Sequence, residues 1–173
     1  MSADVVTATF SGRVRKFGDG IDTDIMYPGS ALRMDPGEAA THLFEALVPG
    51  WSETVQRGDV IVGGKNFGIG SGRPVGTLFH ILGIRIVLAD SISSLFQRNC
   101  INAGLYALAV PGLPAACEEG DVITVDVAGG LAEVNGTQAS FSPPPPFLRR
   151  IVDAGGVLNL LMADGYLEPQ HST

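Results

Sequence analysis

Cysteine is scarce: Cys100 and Cys117 are the only two among 173 residues. Two thiols cannot build a four-cysteine zinc site, nor hold an iron–sulfur cluster by themselves. They lack the spacing of a redox pair. With no signal-peptide pattern over residues 1–7, the expected compartment is a reducing cytoplasm. Positive charge is short as well: 11 Lys and Arg face 18 Asp and Glu, for a net charge of −7. No basic run occurs anywhere, which argues against nucleic acid as a partner, since phosphate affinity comes from clustered Lys and Arg. Long apolar runs are missing too. The richest, residues 105–117, is cut by Pro111, Gly112 and Pro114, and a membrane span needs about 20 apolar residues. The three histidines, His42, His80 and His171, share no ligand spacing, so no metal site is expected.

What the chain does have is apolar residues, 45%, and glycine, 23 residues without a three-residue period. The first excludes wholesale disorder and the second excludes collagen. The length suits one domain spanning 1–173, since domains run to roughly 100–200 residues. A chain this size buries about 70% of its unfolded surface and needs no covalent staple.

The pattern predicts an α/β fold. Residues 5–14 alternate and are rich in β-branched side chains, as in a strand. Residues 18–29 are dense in Gly, Asp and Pro and read as a loop. Asp35 caps a helix with Pro36 at its first position, expected to run to about residue 47. Residues 59–64 and 84–89 read as buried strands. Helices are expected over 74–82 and 91–103, the second capped by Ser91 or Ser93 and ended by Gly104. Two strands follow, over 121–127 and 131–141, with Asn135-Gly136 suited to a type I′ turn. The segment 143–146 is a rigid punctuation mark. Helical segments over 147–153 and 157–162 are split by Gly155-Gly156. The tail, 168–173, reads as frayed. Trp51 and Cys100 read as packed core groups, with His42 and His80 inside helices.

Two loops carry candidate chemistry. Residues 63–74 (GGKNFGIGSGRP) leave a strand and enter a helix, where free N–H groups favour anions. Nucleotide fingerprints fail here: Arg73 stands where a dinucleotide motif needs Gly, and Ile69 where a phosphate loop needs Lys. Ser71 either caps the following helix or points into a cleft. Arg73 offers a fork that fits a carboxylate. Residues 19–28 (DGIDTDIMYP) place Asp19, Asp22 and Asp24 like part of a calcium loop, but Ser30 stands where the closing Glu belongs. Read alone, this is a turn whose Asp side chains bond the backbone.

Together these stretches resemble the small subunit of the aconitase and isopropylmalate isomerase superfamily. The resemblance rests on residues 18–28, 58–70 (GDVIVGGKNFGIG), 84–105 (IRIVLADSISSLFQRNCINAGL) and 154–156. It implies a swivelling β/β/α domain. It also implies a hydro-lyase that moves water between adjacent carbons of a hydroxy di- or tricarboxylic acid. The expected substrate is 3-isopropylmalate, used in leucine biosynthesis. The alternatives are citramalate, dimethylmalate, homoaconitate or aconitate, or a diverged, non-catalytic binding domain.

The resemblance gives a large partner subunit a [4Fe-4S] cluster and gives this chain no cofactor. It leaves self-association of the isolated chain open. By the same resemblance Ser71 matches the general base, and Arg73 and Arg33 match residues that bind substrate carboxylate. Gly72, Thr23 and Asp24 complete the substrate-binding positions. One stretch departs from the pattern. The family usually reads Gly-Ser-Ser-Arg-Glu-His, and here residues 70–75 read Gly-Ser-Gly-Arg-Pro-Val, so one hydroxyl is lost beside Ser71.

Overall fold

The computed structural model describes residues 9–168. The N-terminal part of the expected first strand, residues 5–8, lies outside them, as do His171 and residues 169–173 of the tail.

Seven strands form one sheet: β1 (Thr9–Lys16), β2 (Val60–Gly63), β3 (Ile86–Ala89), β4 (Tyr106–Ala109), β5 (Val122–Asp126), β6 (Leu131–Val134) and β7 (Thr137–Ser140). Their order is β4-β3-β2-β1-β5-β6-β7. The first four run parallel, and β5, β6 and β7 form an antiparallel meander. β1 belongs to both parts. Residues Thr9 to Arg13 pair with β5, while Val14 to Lys16 pair with β2.

Successive residues of a strand point to opposite faces, so the sheet separates two cores. Ile61, Val87, Leu105 and Ala107 face one, with the aromatic group of Phe17, Phe44, Trp51, Phe67, Phe79 and Phe96. Val60, Val62, Ile86, Leu88 and Tyr106 face the other, with the apolar side of the meander. β2 and β3 are buried at every residue, as strands covered on both faces must be.

Among the described residues eight helices accompany these strands, the last two following β7: α1 (Thr23–Met26), α2 (Pro36–Ala40), α3 (Trp51–Thr54), α4 (Val75–Ile81), α5 (Ser94–Asn102), α6 (Leu113–Ala116), α7 (Pro146–Asp153) and α8 (Val157–Ala163). Several match expectation. Asp35 caps α2 with Pro36 first. Asn135 and Gly136 both take positive φ, 51° and 76°, as a type I′ turn requires. Gly155 and Gly156 also take positive φ and separate α7 from α8.

Four expectations need correction. The loop over 18–29 contains a helical turn, α1, because the Asp22 side chain accepts the Ile25 amide at 2.7 Å. The helix begun at Pro36 stops at Ala40, not residue 47, which also leaves His42 outside a helix. Phe44 takes φ 57° instead, donates its amide to the Met26 carbonyl, and stacks on Phe17 at 4.1 Å. Aromatic packing overrides the helical pattern there. Finally, β4 and α6 occupy 106–109 and 113–116, a stretch with no alternation and three breakers. A strand buried on both faces over its first three residues, as β4 is, shows no alternation to read.

Candidate active site

The loops that follow β1 and β2 leave the carboxyl ends of adjacent parallel strands, the usual place for a ligand in such a sheet. They run side by side, tied by backbone bonds. Gly64 donates to Gly18, Gly20 to Lys65, Gly68 to Ile21, and Thr23 to Ile69, all within 3.0 Å. On the other flank Phe67 exchanges bonds with Ser91 and Ser93. The glycine loop is thus the middle ribbon of three. Gly68 permits this: its φ is 76°, and an added Cβ would lie 2.2 Å from the Phe96 ring.

This lacing sets residues 70–73 against α1. Buried Thr23 donates its hydroxyl to the Ser71 carbonyl at 2.7 Å and lies 3.4 Å from Ser71 Oγ. Ser71 Oγ donates to Asp24 Oδ1 at 2.9 Å. Arg73 Nε meets the same Oδ1 at 2.9 Å. Arg73 Nη1 also donates to the Tyr27 carbonyl. The Tyr27 hydroxyl in turn donates to Ala31, closing the short 3₁₀ turn at Gly29–Ala31. Ser71, Gly72 and Asp24 are exposed, and Arg73 is mostly covered.

The structure brings Thr23, Asp24, Ser71, Gly72 and Arg73 together. Arg33 is exposed just beyond the 3₁₀ turn and joins none of these bonds among the described residues. The three aspartates divide. Asp19 accepts the Lys65 amide, and Asp22 caps α1. Both behave as turn residues, while Asp24 reaches across to the other loop.

Two expectations change here. Ser71 caps no helix: α4 begins four residues later, at Val75, with Pro74 at the cap position. Nor are the first amides leading into α4 free, because those of Arg73 and Val75 bond the Ser71 and Arg73 carbonyls. Within residues 70–73 the amides of Gly70, Ser71 and Gly72 have no partner among the described residues. The Tyr27 carbonyl was not foreseen, since a main-chain acceptor leaves no mark in a sequence.

Other titratable groups lie away from this cluster. Burial pushes both thiols upward, Cys100 in one core and Cys117 in the other. Both therefore stay protonated and inert. His80, on α4, is held below its ordinary value by burial and then by Arg85 and Arg57. Among the described residues no three His, Cys, Asp or Glu side chains are grouped to hold a metal ion. Likewise no helix is long and apolar enough to cross a membrane.

The aconitase C-terminal domain family matches residues 42–112, which include Ser71 to Arg73. A 3-isopropylmalate dehydratase small subunit of Methanopyrus kandleri is 40% identical, over 89% of this chain and 93% of its own. Another, of Oleidesulfovibrio alaskensis, is 39% identical over 86% and 92%. Among solved structures, a 3-isopropylmalate dehydratase of Methanocaldococcus jannaschii superposes with TM-score 0.83 and 34% identity, covering 90% of this chain and 95% of that one.

Proposed function

The chain belongs to the family of 3-isopropylmalate dehydratase small subunits, and on that premise we propose that Ser71 is the base of its reaction. As a member it is a subunit of a hydro-lyase and works with a large subunit. The substrate we assign is 3-isopropylmalate. The whole chain acts as one swivelling unit, in the cytoplasm.

One observation carries this reading. Thr23 and Asp24 come from one loop and Ser71 and Arg73 from another some 47 residues on, yet hydrogen bonds of 2.7 and 2.9 Å and an ion pair of 2.9 Å join them. The serine is exposed, so a substrate held by a partner can reach it. Arg73 has Nε on Asp24 and Nη1 on Tyr27, which leaves Nη2 for a substrate carboxylate. Arg33, exposed on the neighbouring turn, is free to take a second carboxylate once the site closes. Gly72 supplies an unpaired amide and no side chain.

Cys100 and Cys117 lie on opposite faces of the sheet and cannot share a ligand. We therefore place the [4Fe-4S] cluster on the large subunit, where it supplies a Lewis acid for the departing hydroxyl. This chain's part is to orient the carboxylates, close over the site and take the proton from carbon.

The test is reconstitution with the large subunit, without oxygen, followed by absorbance of the unsaturated intermediate. Wild type is expected to turn over 3-isopropylmalate faster than citramalate, dimethylmalate, homoaconitate or aconitate. Ser71→Ala is expected to lose turnover while keeping its circular dichroism and its partner. Turnover retained by Ser71→Ala would remove the serine from the role of base.

A further inference from the structure

Ser71 poses a chemical difficulty. A serine hydroxyl can take a proton from carbon only if its own proton has somewhere to go. No cation sits on the serine: Arg73 touches Asp24, not the Ser71 hydroxyl. The Arg73 and Val75 amides are spent on neighbouring carbonyls. Instead the Ser71 O–H points at a carboxylate, 2.9 Å from Asp24 Oδ1.

We propose that Asp24 is the proton acceptor behind Ser71, and not a ligand to the substrate. Three observations carry this. Asp24 Oδ1 accepts the hydrogen bond of the Ser71 hydroxyl at 2.9 Å. The other hydroxyl near Ser71 Oγ, Thr23, is 3.4 Å away, buried, and already donates to the Ser71 carbonyl. Thr23 fixes the loop and has no basicity to offer. Arg73 Nε binds the same Oδ1, holding the carboxylate in place at the moment of transfer. The neighbouring aspartates take no part, since Asp19 and Asp22 bond the Lys65 and Ile25 amides.

The step balances. The C–H bond breaks and its proton passes to Ser71 Oγ, while the Ser71 hydroxyl proton passes to Asp24 Oδ1. The electron pair left on carbon becomes the double bond as the hydroxyl leaves the adjacent carbon with its bonding pair, takes a proton from solvent and departs as water. On rehydration the two protons return along the same line. Asp24 is 59% exposed along its side chain and can exchange its proton with water between turnovers.

This inference rests on the assignment of Ser71 as base, so the experiment separates the two. The reconstituted holoenzyme is assayed on 3-isopropylmalate as wild type, Ser71→Ala, Asp24→Asn and Asp24→Ala. Asn keeps an oxygen that can accept the Ser71 hydrogen bond but cannot take a proton, whereas Ala removes that bond as well. Circular dichroism and co-elution with the large subunit verify each variant. An exposed side chain such as Asp24 tolerates both substitutions.

If wild type is silent, or Ser71→Ala retains turnover, the underlying assignment fails. If wild type turns over and Ser71→Ala does not, the Asp24 pair decides. The expected result is that Asn and Ala lose kcat alike, by on the order of 100-fold or more, the usual worth of a positioned proton acceptor. KM is expected to stay within about threefold in both, as for groups that act only in the transition state. An Asn variant nearer wild type than Ala in kcat would show that Asp24 only positions the serine. A raised KM with kcat kept would make it a substrate ligand. Either result overturns the proposal.

Discussion

Arg73 shows how one residue divides its work. Its Nε is bound to Asp24, and Nη1 to the Tyr27 carbonyl. The guanidinium is therefore held in a fixed plane before any substrate arrives, which lowers the entropy lost on binding a carboxylate. Lysine keeps the charge but has no fork to span both anchors. Arg73→Lys is expected to raise KM by roughly tenfold, the worth of about one charge-assisted hydrogen bond. The fall in kcat should be smaller. Initial-rate kinetics on the reconstituted enzyme measure both, and unchanged constants would remove Arg73 from substrate binding.

Elements explain why some of this was legible in the sequence and some was not. The strands at β2 and β3, the break at Gly155-Gly156 and the Asn135-Gly136 turn are written in local composition. α1 is not, because a lone Asp22 cap in an Asp-rich loop looks like any other turn residue. α2 ends early because Phe44 is drawn into ring packing with Phe17, Trp51 and Phe79. Similar limits apply to the site. Ser71, Arg73, Thr23 and Asp24 were all singled out, but the bond between Ser71 and Asp24 needs two loops laced in one register. Arg33 is matched through the resemblance alone, and among the described residues it joins none of the site's bonds.

That lacing depends on Gly68. A side chain there would meet the Phe96 ring at 2.2 Å and force a left-handed backbone on an ordinary residue. Gly68→Ala is expected to cost about 2–4 kcal/mol, from overpacking and φ strain together. The shift should appear in the urea midpoint. Turnover should fall with it, since residues 69–73 take their register from this point. A midpoint equal to wild type would mean that the ribbon can yield.

At the scale of the whole molecule, an ionic group staples the two parts of the sheet. Asp59, buried just before β2, accepts Arg13 and Arg15 from β1 at 2.8 and 3.3 Å. Arg15 also meets Glu119, ahead of β5, and lies 5.2 Å over the Trp51 ring. Burial raises the Asp59 pKa, the largest single effect. The Arg13 hydrogen bond, the Gln56 amide, the Arg13 charge and the Arg15 hydrogen bond together outweigh it, so the net shift is downward. In the window between this lowered value and the ordinary 3.8, the unfolded chain binds more protons than the folded one. Stability therefore rises with pH across that window and is lost as the pH drops through it. The contribution is complete above about pH 4 and fades as the pH drops through the folded value. Asp59→Asn should unfold at lower urea at pH 7, since Arg13 loses its carboxylate and buried Arg15 loses one of its two. It should also show a flatter decline than wild type from pH 5 to pH 3. Parallel curves would place the acid sensitivity elsewhere.

The double membership of β1 bears on how the chain is made. Its C-terminal part finds β2 once residue 62 exists, but its N-terminal part waits for residues 122–126, over a hundred positions downstream. During synthesis β1 therefore carries an unpaired edge until β5 has followed it. Such an edge invites pairing with a neighbouring chain. Arg13 and Arg15 alternate along that strand, and their charge guards it until the meander arrives.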